Sequence, residues 1–570
     1  MKSQAPFCFL FLLSSAVLTG CGALPRDSDT PSSRFEMLID SYLSGKLFDE
    51  DEENDVTPLS YLRSNADSLR ANHAGKVLDR LRAIDTLGLT EDQRIDWLQL
   101  EATLKREQRD VSLRRVERNP LQYLTVGSLY WQVTGAAKKD WIPILSTMEQ
   151  VPYAIDLGRR QLKDPPPLWI QLAVNTEKRY EEFLTGALIQ AIQDEAPDSM
   201  KPRLTEASRR AASLLGNFRK FLTDTLKPGN SDSWAIGTER YNWLLKEYHF
   251  LPYTAAEMIQ AGWKVHGETR EALKAFARNI DSTRSWKDLV SQMKGEHPRA
   301  HTILDAYRSE SDRVRKLLVD RDLISIPPAE TLTFVPTPPA LRETYAWGGY
   351  GGIEQRGATM VGRFFVTDIV PGMTAREEEE KLRTQNTGWI TVIALHEGYP
   401  GHHLQTVYAK NNPRKLRSRL GSTYYGEGWA LYCESWMARE GFFLDTWDSL
   451  GWLQMRLWRT ARVIIDPSIH TGVMSYDQAV QFFVNEVGLE RSAAEAEVNR
   501  YTTWPTQAPS YIIGWLEIER LKRELQQRFG KQFSEKRFAE EVMKAGSLPL
   551  ELMNRAVHRA YDANPDVGNN

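Results

Sequence analysis

From about residue 35 to residue 324, apolar positions recur every three or four residues with polar ones between them, a period that predicts a succession of amphipathic helices. The stretch RLTEASRRAASLLGNFRKFLTDTLKPG sets Leu215, Phe218 and Leu222 on one face and is stopped by Pro228 and Gly229. No fixed repeat period runs through these segments. DPPPLW, Asp164 to Trp169, reads as a break between helices, and the acidic run Asp49 to Asp55 as a solvated loop. The pattern changes at SIPPAETLTFVPTPPALRET, Ser325 to Thr344, where five prolines forbid a continuous helix. A boundary is therefore placed between a helical N-terminal region, 35–324, and a second region, 325–570. Beyond it, YAWGGYGG, Tyr345 to Gly352, reads as a flexible aromatic loop able to cover a substrate. MVGRFFVT, Met360 to Thr367, is rich in β-branched and aromatic residues and predicts a strand, one of few strand signals in the chain. Helical periodicity then returns and runs to a frayed polar tail, DANPDVGNN. The expected fold class is mainly α, multi-helical, with a small β element.

The N-terminus follows a different logic. Lys2, the apolar run Phe7 to Leu18 and the sequence LTGC ending at Cys21 read as an export signal over residues 1–20, too short to span a bilayer. Small residues before a cysteine resemble the lipobox of bacterial lipoproteins, which makes Cys21 the expected lipidation site and membrane anchor, with residues 21–34 a polar tether that needs no structure. Gly22 stands where an inner-membrane retention signal would carry Asp, so the expected location is the cell envelope, at the outer membrane facing the periplasm in a Gram-negative host. Removal of Cys8 and lipidation of Cys21 leave Cys433 alone, so no intrachain disulfide is expected. With 72 basic against 75 acidic residues and no basic stripe interleaved with aromatics, nucleic acid is not an expected partner.

Chemistry concentrates in ALHEGYPGHHLQ, Ala394 to Gln405, which places three of the ten histidines, His396, His402 and His403, within eight residues. Two neutral imidazoles and a carboxylate make a catalytic zinc site that leaves a fourth position open. In the H-E-x-x-H pattern the two histidines stand four apart on one helix, about 40° round the axis and roughly 6 Å along it. Here Pro400 occupies the second histidine's position. Its ring would clash with the carbonyl of His396, and Gly401 permits unusual dihedrals, so the helix is expected to bulge or kink. A bulge absorbing Tyr399 to Gly401 brings His402 to the second ligand position; a kink brings His403 closer. His402 is slightly favoured and both stay open. Glu397, on the neighbouring face, is the expected general base.

A third ligand has to come from elsewhere. YYGEGWALYCE, Tyr424 to Glu434, sets Glu427 and Glu434 seven residues apart on one helix face, in surroundings too apolar for unpartnered carboxylates. Glu427, 25 residues after His402, is assigned as the ligand, and Glu434, two turns on, as the group that orients a ligand histidine. His470 lies four residues after Asp466, a spacing at which Asp466 could hold the tautomer of an imidazole that polarises a substrate carbonyl. Arg456, Arg459 and Arg462 recur at helical spacing and offer a candidate clamp for a substrate carboxylate.

The string H-E-G-Y-P-G-H-H-L-Q followed by E-G-W-A-L-Y resembles a bacterial family labelled domain of unknown function 885, many of whose members are lipoproteins. The resemblance extends over most of the mature chain, including VIIDPSIHTG, Val463 to Gly472, and YTTWPTQAPSYIIG, Tyr501 to Gly514. That family looks like a distant relative of helical zinc peptidases of the carboxypeptidase Taq and thimet oligopeptidase kinds. The resemblance implies a helical zinc-peptidase-like architecture, two histidine ligands, a glutamate ligand about 25 residues on and a further glutamate seven positions later, which Glu427 and Glu434 match. PSYIIG resembles a downstream Pro-Thr-Tyr-x-x-Gly element and places Tyr511 at its tyrosine, where a phenol can hydrogen-bond an oxyanion; Tyr501 is the reserve. The expected function is zinc-dependent hydrolysis of peptide bonds, by a carboxypeptidase or oligopeptidase acting on short peptides in the cell envelope. Two other readings remain: a zinc amidase acting on cell-wall peptides or other amides, and a non-catalytic envelope lipoprotein.

Overall fold

Burial of the apolar helix faces accounts for most of the architecture. The computed structural model describes residues 30–44, 59–134, 139–337, 347–369 and 372–564. The export signal, Cys21 and the acidic run Asp49 to Asp55 lie outside the described residues. Within them the protein is mainly α, with a single three-stranded sheet. The segment Lys201–Lys220 is helical, buries Leu215 and Phe218, and runs through one wider turn to Thr225 before Pro228. The break at Asp164 falls between the helices Trp141–Gln161 and Pro167–Thr185. The expected tether is shorter than its sequence suggests: Pro31–Ser44 is a helix whose Phe35, Leu38 and Ile39 are buried in a cluster with Leu416. A polar flank does not prevent a helix when the helix's apolar stripe finds a partner surface.

Residues 59–226 supply one apolar cluster of their own. The largest cluster draws on both sides of the proline-rich stretch, from Ile95 to Ile324 and from Leu395 to Tyr561. Helix Ala255–Ile280 lies along helix Thr446–His470, where His266 Nδ1 meets Thr460 Oγ1 at 2.8 Å. The prolines at 325–344 thus introduce the sheet, and the main core continues across them.

The sheet has the order β1–β3–β2, with β1 Glu330–Pro336, β2 Gly348–Arg356 and β3 Thr359–Val366. β1 runs parallel to β3 and β2 antiparallel to it. Two of these strands differ from expectation. Gly348 to Gly352, expected as loop, pairs with β3 through Gly348, Gly349 and Tyr350, because a long-range ladder supplies the hydrogen bonds that local glycine content would leave to water. β1 hides among the prolines, with Pro336 at its last position. β3 is the predicted strand, and its Phe364 and Val366 pack on Trp389, Ile390, Val392 and Ile393 of the helix that leads into the histidine motif.

Candidate metal centre

Asn386 caps the first histidine helix, Thr387–Glu397, by accepting a hydrogen bond from Trp389 N at 3.0 Å, and the helix is buried along nearly its whole length. Pro400 has no N–H to continue it. The chain leaves helical geometry at Gly398, passes through a cis Tyr399–Pro400 peptide, and re-enters a helix, His402–Lys410. At the turn Gly401 N donates to Leu395 O at 3.2 Å, and a Cβ on Gly401 would stand 1.9 Å from His396 O, so only glycine fits. The motif is therefore two helices joined by a four-residue connection, a larger disruption than the bulge or kink expected for one helix. Its effect is to set His402 against His396, ring centres 4.9 Å apart and nearly perpendicular.

A third helix, Thr423–Arg439, capped by Ser422, brings Glu427 to the pair. His402 Nε2 lies 3.3 Å and His396 Nε2 3.7 Å from the same Glu427 oxygen, Oε2. That oxygen is buried and accepts no hydrogen bond. Tetrahedral coordination with bonds of about 2.0–2.2 Å separates ligand atoms by roughly 3.3–3.6 Å, close to both distances. His396, Glu397 and His402 also each offer a ligand atom within 4.8 Å of the others. Two imidazoles, a carboxylate oxygen without a donor and this spacing fit a divalent ion of zinc's preferences. The electrostatics agree. Burial would raise Glu427, but the adjacent imidazoles outweigh it and hold the carboxyl well below the usual range. Burial would lower His402, but Glu427 and the charge of Glu397 push it up to about 9, so the spot demands positive charge.

The surroundings fix these groups. Glu434 Oε1 accepts from His396 Nδ1 at 2.8 Å and is itself held by Arg459 at 3.1 Å. Glu397 Oε2 accepts from the backbone N–H of Tyr350 on β2 at 2.8 Å, so the edge strand positions the expected general base. Tyr511 lies on helix Ser510–Phe529 with its ring stacked on His396, centres 6.3 Å apart and planes at 15°. Burial above all, with Glu427 nearby, pushes its phenol up to about 12. The helices that carry Glu427 and Tyr511 cross at Gly428 and Gly514, where a Cβ on Gly428 would come 2.5 Å from the Gly514 backbone.

Four expected residues take other places. His403 turns away from His396 and donates to Glu330 Oε2 on β1, with Nε2 at 2.6 Å, because its position one residue into the second helix faces the sheet. Tyr399 OH joins it on the same oxygen at 2.5 Å, and Arg315 reaches the other at 3.3 Å. His470 is fully buried beside Trp234 and Tyr241, with Nε2 against Tyr501 O at 3.0 Å. Asp466 does not hold it: its Oδ1 accepts from Tyr241 OH at 2.5 Å and Thr506 N at 3.0 Å. Both residues brace the helix packing and make no contact with the cluster, so neither a carbonyl-polarising role for His470 nor a tautomer-holding role for Asp466 survives. Tyr501 OH is engaged by Glu497 at 2.6 Å. β3 is the central strand, paired on both sides. Glu330 and Tyr350 are the residues that sequence reasoning missed; a lone carboxylate between prolines at 327–328 and 336–339, in an apolar strand, was the available signal for Glu330.

A buried centre of two histidines and a glutamate between helices, bordered by a small sheet, defines a helical protein with a candidate metal site. The chain belongs to the family described as bacterial protein of unknown function, DUF885, whose model matches residues 50–557. A search of curated proteins gives no match. Among solved structures it is similar to a candidate lipoprotein of unknown function from Shewanella oneidensis, with TM-score 0.71 and 20% identity over 92% of this chain and 99% of that one. It is likewise similar to a candidate lipoprotein from Colwellia psychrerythraea, with TM-score 0.73 and 16% identity over 94% of this chain and 100% of that one. At these identities the likeness is one of fold. None of these descriptions names an activity.

Proposed function

We propose that the protein is a zinc-dependent hydrolase of peptide bonds acting on short peptides in the cell envelope. The observation that carries this reading is the convergence of His396 Nε2 and His402 Nε2 on the one Glu427 oxygen that is buried without a hydrogen-bond donor. His396, His402 and Glu427 would hold the ion. When bound, zinc supplies Lewis acidity and lowers the pKa of water at its open position.

The chain's own groups do the rest. Glu397, aimed by the Tyr350 N–H, accepts the proton of the attacking water and passes it to the leaving nitrogen as the C–N bond breaks. Tyr511 keeps its proton at neutral pH and donates a hydrogen bond to the oxygen that gains charge. Glu434 holds the proton of His396 on Nδ1. β2, an edge strand beside Glu397, supports docking of an extended peptide backbone. Export and lipidation at Cys21 are supported by the LTGC sequence and by the lipoprotein descriptions of the two structural neighbours. None of the described helices is long and apolar enough to cross a membrane.

The test is metal analysis of the purified mature protein with a peptide-library digest, comparing wild type with Glu397→Gln. Stoichiometric zinc in both and cleavage in wild type alone is the expected result. Carefully purified protein that neither retains nor takes up metal sinks the reading.

A further inference from the structure

Arg462 and Arg500, on neighbouring helices, share a single ion-pair partner. Among the described residues, Glu497 is the one carboxylate within ion-pair distance of either, 3.0 Å from Arg462 and 3.3 Å from Arg500. Arg459, one turn earlier on the same helix, is matched by Glu434. Arg462 uses Nε and Nη2 on Glu497 and makes no other hydrogen bond among the described residues, which leaves its Nη1 side unengaged. Buried Arg462 and half-buried Arg500 share one carboxylate, an incomplete ion cluster that a second anion would complete.

The position suits a substrate group. The Arg462 guanidinium carbon lies 4.6 Å from the centre of the Tyr511 ring, the ring that stacks on His396 at 6.3 Å. An extended residue covers about 3.3–3.6 Å, so a carboxylate one or two residues beyond a bond held at the His396–His402–Glu427 centre can meet the guanidinium. The planar fork of arginine matches a carboxylate in two parallel hydrogen bonds, which a lysine cannot reproduce.

We propose that Arg462, backed by Arg500, binds the free α-carboxylate of a peptide substrate, so that the site removes C-terminal residues and does not cut within long chains. The proposal rests on the peptide-hydrolase reading above. It is tested with zinc-loaded mature protein on short acyl-dipeptides offered as free acids and as C-terminal amides. Wild type should prefer the free acid by about 10- to 100-fold in kcat/KM, the range of a charge-assisted pair. Arg462→Met should lose that preference, with the loss falling on KM for the free acid, and Arg462→Lys should keep only part of it. Equal cleavage of acid and amide by wild type, or a variant that slows both alike, overturns the proposal and leaves peptide hydrolysis standing. Cleavage of neither defeats both. If Arg462→Met fails to fold, inhibition of wild type decides: N-acetyl amino acids should inhibit and their amides should not, and equal inhibition overturns the proposal.

Discussion

Glu434 Oε1 stands 2.8 Å from His396 Nδ1, which keeps the imidazole proton on that nitrogen and leaves Nε2 bare towards Glu427. Replacing Glu434 with Gln keeps the shape but offers a weaker acceptor, and a partner of this kind typically contributes 10–100-fold to metal affinity. Glu434→Gln should therefore bind zinc about 10–100-fold more weakly in competition with a chelator. Unchanged affinity would remove Glu434 from the centre's support. Glu434→Ala should be worse in a different way, because it leaves buried Arg459 without its partner and costs about 3–5 kcal/mol of stability.

The neighbouring histidines should separate cleanly. His402→Ala removes an imidazole 3.3 Å from the Glu427 oxygen, so the variant should bind no stoichiometric zinc and show none of the rise in melting temperature expected of zinc-loaded wild type. His403→Ala should keep zinc and instead destabilise the fold, since Glu330 loses a 2.6 Å partner in a buried network. Metal content and thermal unfolding of the two variants check both halves.

Tyr511→Phe removes one hydroxyl and keeps the ring on His396. Loss of a donor to a developing oxyanion costs about 100- to 1,000-fold in kcat, and KM and bound zinc should change little. Because burial pushes the phenol up to about 12, the wild-type rate should show no titration of Tyr511 between about pH 6 and 10. A variant with wild-type kcat would make Tyr511 a packing residue.

Asp466 gives a pH dependence away from the centre. Burial raises its carboxyl from 3.8 to about 7, against the opposing hydrogen bonds of Tyr241 and Thr506. The folded protein thus keeps a proton that the unfolded chain releases. Its contribution to stability is full below about 3.8 and is lost as pH rises through about 7. The melting temperature should fall between pH 5 and 8 in wild type and fall less in Asp466→Asn; parallel curves would refute the assignment.

The sequence by itself determined the residue types and their spacing: the histidine motif with Pro400 and Gly401, the Glu427–Glu434 pair seven apart, the strand at Met360 to Thr367 and the helical remainder. These are local signals, written in periods of two and 3.6 and in the fixed φ of proline. Tertiary structure decided the rest. Whether His402 or His403 meets His396 depends on how far the chain turns between two helices, and Glu330 on a strand hidden among prolines holds His403 on the other side. His470 and Asp466 share helical spacing, yet Tyr241 and Thr506 take Asp466 from across the fold. Tyr511 reaches His396 because Gly428 and Gly514 let two helices touch backbone to backbone, a contact between residues 86 apart in the chain. Spacing along one helix says which residues share a face, and only the packing of several helices says what that face meets.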